Sequence, residues 1–196
     1  MHASSRATTG HDRTPVSRVT TIHTLGPAGT NLEKAAHHWF EEQRRDGRVV
    51  LHTEVEDGLD VMRFDGTEAI LACAVYPRLH DLVFGNLDRL AMVDTFILDT
   101  YDMVLASRPE QDSIATIVTH PAPSCLVTSR GEISFASSNS HAAALCASGL
   151  YDSCVTTDQA ARSEGLRVVE NFGPVPMVFT VHAGRPGPGP ALGEAR

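Results

Sequence analysis

Residues 19–40, VTTIHTLGPAGTNLEKAAHHWF, change their periodicity in the middle. Val19 to Leu25 reads as a β-strand, and Gly26, Pro27 and Gly29 make a tight turn. From there Leu32, Ala35, Ala36, Trp39 and Phe40 recur at i, i+3, i+4, i+7 and i+8, the apolar stripe of an amphipathic helix. A strand that feeds a helix through a glycine turn is the opening of an α/β unit.

Working outward, the alternation repeats. Arg48 to His52 predicts a strand and Val55 to Phe64 a helix, and Glu68 to Val75 is an apolar strand of the kind buried on both faces. Leu90 to Leu98 and Tyr101 to Ala106 read as two long extended segments. After Pro109 come strand Ala115 to Thr119, a short helix from Pro121, strand Ile133 to Ala136, helix Ser140 to Ser148 ended by Gly149, and strand Ser153 to Thr156. A helical turn at Asp158 to Arg162 leads to strands Arg167 to Glu170 and Met177 to Val181. The pattern predicts an α/β fold of two Rossmann-like lobes with a central cleft, joined by extended segments near residue 100. Lobe 1 covers about 19–98 plus a C-terminal return, and lobe 2 about 104–178. The folded body is 19–183. The stretch 1–18 lacks periodicity and 184–196 is Gly/Pro-rich, so both are expected to be disordered tails. No internal sequence repeat is present.

The 196 residues carry 16 Lys+Arg against 24 Asp+Glu, a formal net charge of -8. That argues against nucleic-acid and anionic-membrane partners, which need a basic face. No run approaches the roughly 18 apolar residues of a membrane span, and the first 18 residues lack a secretory apolar stretch, so a cytoplasmic protein is expected. Cys73, Cys125, Cys146 and Cys154 lie far apart inside apolar runs, which predicts four buried thiols and no disulfide or metal site. Ten His offer a metal alternative. His37 and His38, however, are adjacent and point about 100° apart on a helix, and no His-x-x-x-His pair occurs.

Hydroxyl residues stand where helices begin: Gly29-Thr30, Thr53, Ser138-Asn139-Ser140 and Thr156-Thr157. Each can cap a helix or present backbone N–H groups to an anion. Thr30-x-x-Glu33 and Thr53-x-x-Glu56 have capping-box spacing. Strand ends of α/β lobes share a crevice, so several such junctions can converge on one anionic ligand. The turn Leu25 to Thr30 is too short for a Walker loop, lacks its Lys and lacks a third dinucleotide-type glycine, so no cofactor is expected. No nucleophile elbow is present.

Leu25-Gly-Pro-Ala-Gly-Thr30, Thr119-His120-Pro121, Ser137-Ser138-Asn139-Ser140-His141-Ala142-Ala143 and Cys154-Val-Thr-Thr157, with Ala160-Ala161 and Gly165-Leu166, resemble in order and spacing the prephenate dehydratase catalytic domain. The resemblance covers about 19–183 and implies a periplasmic-binding-protein-like pair of lobes with the substrate in the cleft. Two dehydratase features are missing. The Thr-Arg-Phe triplet of the last strand reads Met177-Val178-Phe179 here, and the Pro-Ile-Glu-Asn-Ser stretch falls on Ala74-Val75-Tyr76-Pro77-Arg78. No regulatory domain is matched. With Thr24-Leu-Gly-Pro, Thr119-His-Pro-Ala-Pro123 and Pro176-Met177, the set is similar to the non-aromatizing prephenate decarboxylases of antibiotic pathways, the bacilysin and anticapsin type.

The substitutions make chemical sense. Losing both the ring carboxylate and the 4-hydroxyl aromatizes prephenate, and a dehydratase assists by donating to the departing hydroxide. An apolar Met177-Val178 gives that departure no help. Decarboxylation needs only an apolar surrounding for the carboxylate and a proton for a ring carbon. The expected product is a dihydro-4-hydroxyphenylpyruvate. Gly29, Thr30, Ser138, Asn139, Ser140 and Thr157 are the candidate carboxylate-binding residues, and His120, Met177 and Phe179 the candidate catalytic ones. His120 can instead shape its turn, His23 can face the cleft or the opposite side, and Met177 and Phe179 can be core. Arg78, Arg108 and Arg130 are candidate counter-charges or plain surface cations. The resemblance also suggests a homodimer. Two other readings stay open: a dehydratase with other donors, giving phenylpyruvate, and a non-catalytic module binding a small anion.

Overall fold

A computed structural model describes residues 16–112 and 114–185. In chain order it contains β1 (Thr21–Leu25), α1 (Asn31–Glu42), β2 (Arg48–His52), α2 (Asp57–Val61), β3 (Glu68–Cys73), α3 (Leu79–Phe84), β4 (Leu90–Asp99) and β5 (Met103–Ser107). β6 (Thr116–Thr119), β7 (Glu132–Phe135), α4 (Asn139–Ala147), β8 (Ser153–Thr157), α5 (Asp158–Ser163), β9 (Arg167–Gly173) and β10 (Pro176–Gly184) follow, with 3-10 turns at Val16–Arg18 and Ala122–Val127. Every strand expected from the sequence is present within a few residues. α3 was not anticipated, because six residues after Pro77 are too few to show a period. Of the expected tails, 1–15 and 186–196 lie outside the described residues. Val16–Arg18 and Gly184 belong to the folded body instead: Val16 packs against the lobe 1 core and Gly184 closes β10.

The strands form two sheets of identical plan, β2-β1-β3-β10-β4 and β7-β6-β8-β5-β9. In each, three strands run parallel and the fourth is inserted antiparallel to its neighbours. That fourth strand comes in each case from the crossing between lobes: β10 enters lobe 1 from β9, and β5 enters lobe 2 from β4. The repeat is one of topology, without a repeat in sequence. Two crossings, Thr100–Asp102 and Pro174–Val175, meet side by side, with the Thr100 N–H donating to the Val175 carbonyl (3.0 Å) and the Val175 N–H to Thr100 Oγ1 (3.0 Å).

The α1 stripe meets one face of the first sheet. Ala35, Ala36, Trp39 and Phe40 are buried against Ala69, Leu71, Phe179 and Val181, each large side chain contributing about 2–3 kcal/mol. Trp39 retains a polar partner, its Nε1 donating to Asp94 at 2.8 Å. In lobe 2 the contact is built from small residues, Ala142, Ala143, Cys146 and Ala161, which let α4 lie close to the sheet. Cys73, Cys146 and Cys154 are buried as expected. Cys125 is exposed, since the 3-10 turn that carries it lies at the surface and directs only Val127 inward.

Candidate functional site

Register places the candidate junctions together. β1 is level with β2 through Leu25 and His52, and β6 is level with β7 and β8 through Thr119, Phe135 and Val155. The turns that leave these strand ends, Gly26 to Thr30 in lobe 1 and His120, Ser137 to Asn139 and Thr157 in lobe 2, therefore open on the same side of their sheets. The lobes approach there: a Cβ on Gly29 would lie 3.8 Å from Gln159 Cγ on α5. Gly29 has φ +83°, a left-handed conformation that favours glycine.

Three helices open at this place with the expected caps. Thr30 Oγ1 accepts the Glu33 N–H (3.3 Å), Ser138 Oγ the His141 N–H (3.0 Å) and Thr157 Oγ1 the Ala160 N–H (3.2 Å). Glu33 Oε2 in turn takes the Gly29 N–H at 2.5 Å, one residue before the position that a capping box uses. The starts of α4 and α5 are joined by Thr156 Oγ1 donating to the Asn139 carbonyl (2.7 Å). Among the described residues, the buried Oδ1 atoms of Asn139 and Asp158, the first residues of these two helices, have no hydrogen-bond partner. Thr53-x-x-Glu56 is not a capping box. α2 starts later, with Glu56 itself at the cap position, and the Glu56 carboxylate turns away to Tyr76 and Arg78.

His120 ends half-buried after β6, and its Nδ1 accepts the Ala122 N–H at 3.2 Å. The turn-shaping bond is therefore made, and it fixes the neutral ring with its proton on Nε2. Burial pushes the imidazole below its ordinary pKa. Ser137 Oγ and His141 Nδ1, 2.9 Å apart, form a second polar pair at the start of α4.

The end of β10 differs from the expectation. Phe179 is 1% exposed, stacked on Phe96 with ring centroids 5.6 Å apart, and belongs to the lobe 1 core, so it does not reach the cleft. Met177 shares that face, two residues away, and packs partly buried against the same core. Val178 points the opposite way and is 40% exposed. The Val178 carbonyl accepts the Ala74 N–H (2.8 Å), which brings Val75, 63% exposed, beside it. The end of β10 and the turn after β3 thus present an exposed apolar group of Val178, Ala74 and Val75.

The candidate counter-charges are occupied. Arg78 pairs with Glu54 (2.7 Å) and Glu56 (2.6 Å). Tyr76 donates to Glu56 (2.6 Å); burial, followed by this carboxylate, pushes its phenol up to about 12. Arg108 holds the carbonyls of Cys146 (2.6 Å) and Tyr151 (3.0 Å) at the far end of α4, and Arg130 pairs with Glu170. His23 faces away from α1. It lies under Gly58 of α2 and joins His52 (2.9 Å) and Glu68 (3.1 Å) in a buried chain that ends on Arg63. Burial lowers the His23 pKa against the pull of Glu68. Glu68 is held below the ordinary carboxylate range, because hydrogen bonds from Arg63 and His23 outweigh its burial.

Two cavities of about 290 Å³ lie between α1 and β4, one beside Trp39 and Phe96 and one beside Lys34 and Tyr101. Among the described residues no cluster of His, Cys, Asp or Glu could hold a metal ion, and no helix is long and apolar enough to cross a membrane. Sequence reasoning missed Gln159 and named Val75 only within the stretch Ala74 to Arg78. A contact between lobes leaves no local periodicity, and a lone valine after a strand carries no signal.

The chain is 30% identical over 182 residues to the prephenate decarboxylase of Bacillus subtilis strain 168, covering 85% of this chain and 87% of that protein. It is 26% identical over 178 residues to the prephenate decarboxylase of Planktothrix agardhii, covering 82% and 86%. No family model matches it. Among solved structures, prephenate dehydratase from Arthrobacter aurescens in complex with L-Phe superposes with a TM-score of 0.67 at 19% identity, covering 86% of this chain and 61% of that one. The periplasmic VFT2 domain of Bordetella pertussis BvgS gives 0.53 at 14% identity, covering 85% and 81%. These likenesses show a two-lobed fold shared by a dehydratase and a periplasmic domain.

Proposed function

The chain belongs to the prephenate decarboxylase family, and from that premise we propose that it decarboxylates prephenate without aromatizing it. The C–C bond to the ring carboxylate breaks, CO2 leaves, and its electron pair moves through a ring double bond to a ring carbon that takes one proton. The 4-hydroxyl stays, and the product is a dihydro-4-hydroxyphenylpyruvate. The observation that carries the reading is the apolar end of lobe 1: Val178, Ala74 and Val75 offer departing hydroxide no donor, and desolvation favours carboxylate loss.

In this reading the pyruvyl carboxylate lies at the starts of α1, α4 and α5, on N–H groups and hydroxyls of Thr30, Ser138, Asn139, Ser140 and Thr157, while Gly29, its N–H taken by Glu33, shapes the turn beside it. The positive helix ends supply locally what a chain of net charge -8 lacks overall. His120 delivers the ring proton through Nε2 from its protonated form, in which Nδ1 also carries a proton and gives up the bond from the Ala122 N–H. Its lowered pKa makes that form scarce at neutral pH, so the rate falls as pH rises. Met177 backs the apolar wall from the core side. The reading includes a cytoplasmic enzyme that uses no cofactor and works as a homodimer, a state that light scattering would test.

The test mixes purified protein with prephenate at mildly alkaline pH, where spontaneous aromatization is slow, and identifies the product by NMR and mass spectrometry. A non-aromatic keto acid that retains the hydroxyl is expected. Phenylpyruvate above the protein-free control would return the chain to dehydration, and unchanged prephenate would leave a binding module.

A further inference from the structure

The sequence contains a single lysine, Lys34, against 15 arginines. It stands in the first turns of α1, and its ammonium is held by carbonyl oxygens of the crossing between lobes. Nζ donates to the carbonyls of Asp99 (2.8 Å) and Thr100 (3.2 Å) and lies 4.7 Å from the centre of the Tyr101 ring. One turn earlier, Asn31 Oδ1 accepts the Tyr101 N–H at 2.8 Å. Two side chains at i and i+3 thus grip three consecutive residues through two carbonyls, one N–H and one ring face.

The gripped segment controls both connections. Thr100 exchanges two hydrogen bonds with Val175, so fixing Thr100 also fixes the second crossing. Lobes of this kind reorient by φ/ψ changes in a few crossing residues. Here those residues are tied to α1, whose own start carries Gly29 and Thr30 and faces Gln159 of lobe 2. One rigid helix therefore touches the crossing, the carboxylate-binding turn and the opposite lobe.

We propose that Lys34 and Asn31 are positioning residues, which set the angle between lobes at which the start of α1 faces those of α4 and α5. Lysine suits the place. Its slim, unforked ammonium can serve two backbone carbonyls at once and leave an aromatic face beside it. The kinetic part of the test rests on the prephenate reading, while the structural part does not.

Wild type, Lys34→Met, Asn31→Ala and Lys34→Arg are compared by small-angle X-ray scattering with and without prephenate, by thermal melting and by steady-state kinetics. Lys34→Met is expected to give a larger radius of gyration without substrate, a nearly unchanged melting midpoint and a KM raised roughly tenfold, with kcat within about twofold. Asn31→Ala follows in the same direction, and it removes one bond only should Lys34→Met fail to fold. Lys34→Arg, which keeps the charge but brings a forked head, restores the wild-type behaviour only in part. Scattering identical to wild type in both variants overturns the proposal. A raised KM with wild-type scattering overturns it as well, by assigning Lys34 to direct substrate contact. Should wild type leave prephenate unchanged, the decarboxylase reading fails and the scattering comparison alone decides this one.

Discussion

Acidification from neutral pH should unfold this protein through His182 in particular. The side chain lies on β10, 3% exposed, and among the described residues its Nε2 has Thr180 Oγ1 as its hydrogen-bond partner, at 3.0 Å. Burial pushes its pKa from 6.5 down to about 4, because the charged ring would stand in the lobe 1 interior without a carboxylate. The folded state thus favours the neutral ring. The corresponding stability is fully present above pH 6.5, is lost as pH falls from there to about 4, and then levels off. A lowering of that size is worth about 3 kcal/mol, at about 1.4 kcal/mol per pH unit. Urea unfolding of wild type and His182→Gln, measured every half unit from pH 7.5 to 4.5, isolates this share from those of His23 and the carboxylates. The variant should be less stable at pH 7, having lost the Thr180 bond and some packing, and should have a shallower pH dependence, so that the two curves converge towards pH 4.5. Parallel curves would refute the assignment of the acid sensitivity to this residue.

Met177→Thr combined with Val178→Arg places a donor on the exposed face of β10 through position 178, and phenylpyruvate should then form above the uncatalysed background; an unchanged product ratio in a folded double variant counts against the apolar wall. His120→Gln should lower kcat about 100-fold with little change in KM, and a wild-type rate would remove His120 as the proton source. Phe179→Ala should cost about 3–5 kcal/mol in a denaturant melt, as for a well-packed core aromatic, and a loss below 1 kcal/mol would contradict its burial against Phe96.

The element order was legible in the sequence because it is written in short-range periodicity. The stripe of α1 and the apolar run of β3 each declare themselves within a dozen residues. The caps Thr30, Ser138 and Thr157 were equally readable, since a hydroxyl three residues before an N–H that needs an acceptor is a local relation. Thr53 had the same spacing and failed, because Tyr76 and Arg78, 20 and 22 residues from Glu56, captured its carboxylate.

The sequence by itself determined that the chain is an α/β protein of two lobes, that one crossing between them lies near residue 100, and that hydroxyl residues cap the starts of α1, α4 and α5. Only the tertiary structure decided which way the last strand faces. Side chains alternate along a strand, and the parity that buries Phe179 and exposes Val178 is set by pairing β10 with β3 and β4, some eighty or more residues away. Separation along the chain likewise hid the Glu56 clamp on Arg78, the approach of Gly29 to Gln159 and the hold of Lys34 on the crossing. Each joins residues that share no helix turn or strand, so no period in the chain records it.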